Sequence, residues 1–352
     1  MNGTTAPFFS FSLCYTYSVE NQVEFLGIGD IVTDAFIKLK EAEVKCDARG
    51  ENCRLSLRFK DKIPYESVTV VPAVGNSPNA AVTAARLGLR AALLTNLGDD
   101  ENGAAALAAL QANGVATTWV KQHAGQKTNY HYVLWFGDDR TILIKHEEYP
   151  YELPLDFARG KPPAWVYLSS LGEHSLTFHQ PIADYLAAQP EIKLAFQPGT
   201  YQIKFGAAAL AAIYRRTDIF FSNLEEAQRI LATDEATPKK LLAGIRTLGP
   251  KIAVITDGKK GAYASDGAQT LFMPPYPDPK PPLERTGAGD AFSATVTAAL
   301  AIGLPLAEAL RWGPVNSMSV VQQIGAQAGL LTRAQLENYL KTAPTDYQPH
   351  EV

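Results

Sequence analysis

The 352-residue sequence is poor in the features that announce several large classes of protein. Its three cysteines, Cys14, Cys46 and Cys53, are too few for a disulfide framework, and none of the six histidines lies near them at zinc-ligand spacing. They read as free thiols of a reducing compartment. No block of Lys or Arg accompanies the formal net charge of -4, which argues against a nucleic-acid backbone as partner. The aromatic opening "MNGTTAPFFSFSLCYTYSVENQ" is uncharged up to Glu20, and the first basic residue is Lys38. The positive flank of a secretory signal is therefore missing. No apolar run reaches the ~20 residues that span a bilayer. No repeat of solenoid length is visible, and there is no G-x-x-x-x-G-K-[ST] phosphate loop. These absences point to a cytoplasmic globular protein with its own core, and set residues 1–21 apart as an N-terminal extension.

The pattern that is present is strand followed by helix. "VEFLGIGDIVTDAFI" is an apolar run broken by Gly27 and Gly29, as where a buried strand reaches a ligand-facing loop. "NAAVTAARLG" predicts a helix and "AALLTNLG" the strand after it, and similar units recur at "AWVYLSSLG", "KLAFQPG", "DIFFSNLEEAQRIL" and "KIAVITDGKKGAYAS". Such alternation implies a mostly parallel sheet covered on both faces. Two stretches interrupt it with β-type alternation. Leu55, Leu57 and Phe59 alternate with Ser56, Arg58 and Lys60 as a strand with one wet face, and "NYHYVLWFGDDRTILIKH" reads as a hairpin. From Ala291 onward helix dominates.

Four constellations carry chemistry. In "ERTGAGDAFSA", Gly287, Ala288 and Gly289 offer backbone N–H groups at a helix start, a place for developing negative charge. Asp290 beside them is placed to take a proton from a hydroxyl, although an aspartate there also serves as a helix cap. In "AVGNSPNAAVTAARLG", Gly75 permits close approach, and Asn76 and Asn79 offer amides suited to sugar hydroxyls, while Asn79 also reads as a simple helix start. In "SNLEEA", Asn223 and Glu226 share a helix face and suit Mg2+ held through water, or a capped surface helix. In "VITDGKKGAY", Thr256, Gly258 and Gly261 suit phosphate oxygens, or a plain hairpin turn. His131 and His174 have no carboxylate partner at a telling spacing and read as structural.

In this order the four groups resemble the ribokinase family, also called the PfkB carbohydrate kinases, from about residue 23 to residue 340. Gly75, Asn79, Ala81, Gly88 and Gly98 fill the family's N-terminal signature, and Thr286 to Asp290 match the last five residues of its Asp-Thr-Thr-Gly-Ala-Gly-Asp. The resemblance implies a three-layer α/β/α domain over residues 22–345 with a mostly parallel central sheet, and a small β-sheet lid from residues 36–72 and 128–147. It implies an ATP-dependent kinase of a sugar or nucleoside hydroxymethyl group, with Asp290 as base and the Gly287, Ala288 and Gly289 backbone as anion hole. It places Asp34, Gly75, Asn76 and Asn79 on the acceptor and Asn223, Thr256, Gly258, Gly261 and Asn316 on the nucleotide. Glu226 would meet Mg2+ through water. "GIGDIVTD" is most similar to adenosine kinases, which tilts the acceptor toward a nucleoside.

Three positions depart from the family. Val74 stands where a small residue is usual, and Glu284 and Arg285 replace the Asp-Thr near which some members bind a monovalent cation such as K+. The exposed lid edges offer a pairing surface for a homodimer. Two other readings stay open, a non-catalytic sensor of sugars or nucleotides and a kinase of a sugar phosphate. The second would draw on Arg140, Lys145 or His146.

Overall fold

The computed structural model describes residues 22–47, 53–137, 139–154 and 161–352. The extension proposed for residues 1–21, and Cys14 with it, lies outside the described residues. Ten strands form one sheet in the spatial order Val120–His123, Ala91–Gly98, Phe25–Ile28, Trp165–Leu168, Lys193–Phe196, Ile219–Asn223, Ile252–Thr256, Ala262–Ser265, Thr270–Met273 and His350–Glu351. The run from Val120–His123 to Ile252–Thr256 is parallel throughout, and the last three strands close it antiparallel.

Alternation along these strands builds the two faces. Phe25 and Tyr167 point to one side, where helices Asn76–Arg86, Ala288–Ala301 and Leu306–Val320 pack. Leu26, Ile28, Val166 and Leu168 point to the other, against helices His179–Ala188 and Pro238–Thr247. Each such aliphatic or aromatic side chain contributes about 1.5–3 kcal/mol on leaving water. The result is a mostly parallel sheet covered by helices on both faces, as the strand–helix alternation implies, in the three layers α/β/α that the resemblance implies.

A second, four-stranded sheet stands over the carboxyl ends of the central strands, in the order Tyr65–Val74, Val32–Leu39, Tyr130–Phe136, Asp139–Leu143. This is the lid. The strand read from Leu55 to Lys60 is only Arg54–Ser56, paired with Glu43–Lys45 in a small hairpin, and Phe59 beyond it is exposed. That hairpin also corrects the reading of Cys46 and Cys53 as free thiols. Its register sets Lys45 opposite Arg54, so the next residues outward, Cys46 and Cys53, face each other and are joined in a disulfide. The thiol argument for a reducing compartment falls with it. Among the described residues no helix is long and apolar enough to cross a membrane.

Candidate active site

The carboxyl ends of the central strands and the first turns of two helices meet beneath the lid. Gly75 opens the Asn76–Arg86 helix at φ 117°, and a Cβ there would lie 2.7 Å from the Asp30 carbonyl oxygen, so only glycine lets the chain turn at this point. Gly287 caps the Ala288–Ala301 helix at φ 83°, with a Cβ position 2.3 Å from the Ala326 Cβ. The two turns bring Asn76, Asn79 and Asp290 together.

Asp290 accepts three amide hydrogen bonds: Asn76 Nδ2 donates to Oδ1 at 2.9 Å, Gln197 Nε2 to Oδ1 at 3.1 Å, and Asn79 Nδ2 to Oδ2 at 2.9 Å. Two of the amides are themselves oriented. Gln327 Nε2 donates to Asn79 Oδ1 at 3.0 Å and to the Ala73 carbonyl at 2.7 Å. The Tyr167 hydroxyl donates to Gln197 Oε1, and burial holds that phenol well above its ordinary pKa, hence protonated. With their oxygens occupied, both amides turn their NH2 groups to the carboxylate. Burial pushes the Asp290 carboxyl above the usual carboxylate range, the Asn79, Gln197 and Asn76 amides pull it back, and the Asp34 charge adds to the rise. A raised pKa suits a general base.

Two clefts meet at the turn that carries Asp290. One is lined by Asp34, Gly75, Asn76 and Asn79, the residues that the resemblance places on the acceptor, together with Thr286 and Asp290. It also contains Asp30 and Tyr201, which sequence reasoning passed over, His146, which it weighed only as a lid cation for a sugar phosphate, and His131. Asp30 was within reach, since its carboxylate follows directly on the Phe25–Ile28 strand. His131 was set aside for want of a carboxylate, yet the parallel lid register pairs it with Asp34, Nδ1 to Oδ1 at 3.4 Å. His174 stays outside, exposed beside Glu148.

The other cleft is lined by Thr256, Gly258, Gly261, Ala288 and Gly289, with Tyr276, Arg285 and Met318. Arg285 and Lys259 bear on Asp278 there, which burial raises and the two cations lower. Asn316 does not line this cleft. It is fully buried behind the wall, its amide donating to Thr295 Oγ1 at 2.8 Å and its oxygen accepting from the Leu331 N–H at 2.9 Å. The helix turns that face inward, while Pro314, Ser317 and Met318 of the same helix line the cleft instead. Asn223 and Glu226 form a reciprocal capping box, Asn223 Oδ1 accepting from the Glu226 N–H at 2.7 Å and Glu226 Oε2 from the Asn223 N–H at 3.0 Å. Burial raises the Glu226 carboxyl and the Asp290 charge adds to it, so the two carboxylates sense each other.

A sequence profile of the pfkB family carbohydrate kinases matches residues 51–333. The chain belongs to the PfkB family. Ribokinase of Bacillus subtilis is 29% identical over 272 residues, covering 76% of this chain and 87% of that protein. A nucleoside kinase of Methanothermobacter thermautotrophicus is 24% identical over 262 residues, covering 73% and 80%. Arabidopsis thaliana ribokinase, solved with ribose and ATP, superposes with a TM-score of 0.75 at 18% identity over 91% of this chain and 99% of that one. This PfkB protein is thus an ATP-dependent phosphotransferase acting on a sugar or nucleoside.

Proposed function

We propose that this PfkB kinase moves the γ-phosphoryl group of ATP to a hydroxymethyl group of its acceptor, with Asp290 as the base. The carrying observation is the position of Asp290 where the two clefts meet, on the helix whose first turn also lines the nucleotide side. The acceptor hydroxyl gives its proton to Asp290 as its oxygen attacks phosphorus and the bond to the ADP oxygen breaks. The first N–H groups of the Ala288–Ala301 helix have no partner within the helix and face the oxygens on which charge develops. Thr256, Gly258, Gly261 and Arg285 hold the nucleotide, and the lid keeps water from the attacking position.

Among the described residues no cluster of three or more His, Cys, Asp or Glu could hold a metal. That suits Mg2+, which enters on phosphates and keeps its waters. Mg2+ would neutralise phosphate charge, with Glu226 reached through water. A monovalent cation such as K+ is not part of the proposal, because the buried Glu284 carboxylate accepts from the Thr286 N–H at 2.7 Å and lies 3.6 Å from Arg140 Nε.

The test is ADP release across a panel of nucleosides and sugars, for wild type and Asp290→Asn. Loss of a general base is expected to lower kcat by about 10^2–10^4, with ATP binding retained. Equal rates in the two proteins would refute the role of Asp290, and ATP binding without turnover of any acceptor would favour a sensor.

A further inference from the structure

The acceptor cleft of this kinase carries two carboxylate–imidazole pairs. His146 Nδ1 lies 2.9 Å from Asp30 Oδ2, and Asp30 is fixed in turn by the Tyr151 hydroxyl at 2.9–3.0 Å. Burial pushes the Tyr151 phenol up, so it stays a donor, while its oxygen accepts from the Gly172 N–H at 3.0 Å. His131 Nδ1 meets Asp34 Oδ1, and the two imidazoles lie against each other, ring centres 5.3 Å apart. An ionised carboxylate only accepts, so the hydrogen bond to Asp30 puts the His146 proton on Nδ1 and leaves Nε2 of the neutral ring an acceptor. His131 makes no hydrogen bond to Asp34, but the carboxylate 3.4 Å from its Nδ1 favours the same tautomer. His131 Nε2 and Asp34 Oδ1 are buried without a hydrogen-bond partner.

The charge balance points the same way. Asp30, Asp34 and Asp290 line this cleft, and among the described residues no Lys or Arg does. Even with both imidazoles protonated, two positive charges face three carboxylates. The lid cations that a phosphorylated acceptor would need are committed elsewhere. Lys145 Nζ is exposed and lies 2.6 Å from Glu147, Arg140 pairs with Asp139 and Glu284, and His146 is held by Asp30.

We infer that the acceptor is a hydroxyl-rich molecule without phosphate or carboxylate, and that His131 and His146 are specificity-determining residues whose Nε2 atoms accept from its hydroxyls. Buried acceptors call for donors, which hydroxyls supply and an anionic group does not. The inference rests on the kinase reading of the site, but its test does not require turnover.

The full-length protein is titrated calorimetrically at about pH 8, without nucleotide and again with a non-hydrolysable ATP analogue, against matched pairs: ribose and ribose 5-phosphate, fructose and fructose 6-phosphate, glucitol and gluconate. The pH keeps free imidazole uncharged. The neutral member that binds is expected to bind at least about tenfold tighter than its anionic partner, a difference of about 1.4 kcal/mol. His131→Gln is expected to weaken that binding about tenfold with binding of the non-hydrolysable ATP analogue unchanged. A second variant, His131→Lys with Asp34→Asn, is expected to narrow the gap between the paired ligands. Equal or tighter binding of an anionic member overturns the inference, and so does a panel in which no neutral polyol binds. A neutral acceptor that binds with these preferences but releases no ADP sinks the kinase reading and leaves the inference standing.

Discussion

Each of two amides that donate to Asp290 has its far end fixed by a second contact, Asn79 by Gln327 and Gln197 by Tyr167. In Tyr167→Phe the Gln197 oxygen loses its donor in a buried place, which costs about 1–3 kcal/mol. The freed amide holds Asp290 less firmly, and kcat is expected to fall by about three- to tenfold with the KM for ATP unchanged. Steady-state kinetics beside a melting curve separates the two effects, and an unchanged kcat would mean that Gln197 is not a positioning residue. The raised pKa of Asp290 has its own signature. A carboxylate acting as the proposed base works only when deprotonated, so kcat/KM should rise with pH along an acid limb whose midpoint lies above the ordinary aspartate value of about 4. A limb at or below that value would contradict the burial argument.

At this scale Asp290, Asn76 and Asn79 were legible because glycines bracket them, and glycine at a turn needs no tertiary information. The partners of Asp290 were not. Gln197 and Gln327 arrive from distant strand ends and loops, and His131 finds Asp34 only through strand pairing 97 positions apart. Asn316 misled because its helix turns it inward, a rotation that a lone polar residue does not advertise.

Among the elements, the Ala288–Ala301 helix begins under tight constraint. At Gly287 the backbone takes φ 83° and the Ala326 Cβ fills the place of a side chain. Gly287→Ala should therefore lose about 1–2 kcal/mol to the left-handed backbone alone, with more from the collision. Adding Ala326→Gly removes the Cβ contact but leaves the Ala326 Cα 2.6 Å from the new methyl, so the double variant is expected to regain only part of the collision and to melt between the single variant and wild type. Full recovery would show that backbone strain is negligible there. The strands and helices of the central domain were readable from their periods, since both faces of a parallel sheet are buried. The small hairpin was not. Its residues are mostly exposed, so no period marks the pairing that joins Cys46 to Cys53.

For the whole molecule, the lid has one face over the acceptor cleft and one turned away. Its pairing register aligns Val70, Ala35, Tyr132 and Leu143 in one row and Val68, Ile37, Leu134 and Thr141 in the next. Val68, Val70, Tyr132 and Leu143 are exposed. We propose that a second copy of the chain covers this apolar face. Light scattering should then give about twice the chain mass of 38.1 kDa, and Val70→Lys should shift the protein toward monomer. A wild-type monomer at micromolar concentration would end the proposal.

The same register also decides how firmly the Asp34–His131 pair is held. Asp34 meets His131 because two parallel strands are aligned at one step, with Tyr130 and Tyr132 on either side. Side chains alternate between the faces, so a slip of one residue would withdraw the imidazole and set a phenol beside the carboxylate. The same alignment buries Val133 and Trp135 on the face that carries His131, so that slip would also turn the lid's own apolar side chains out to water. The packing of the lid thus guards the imidazole that faces the cleft.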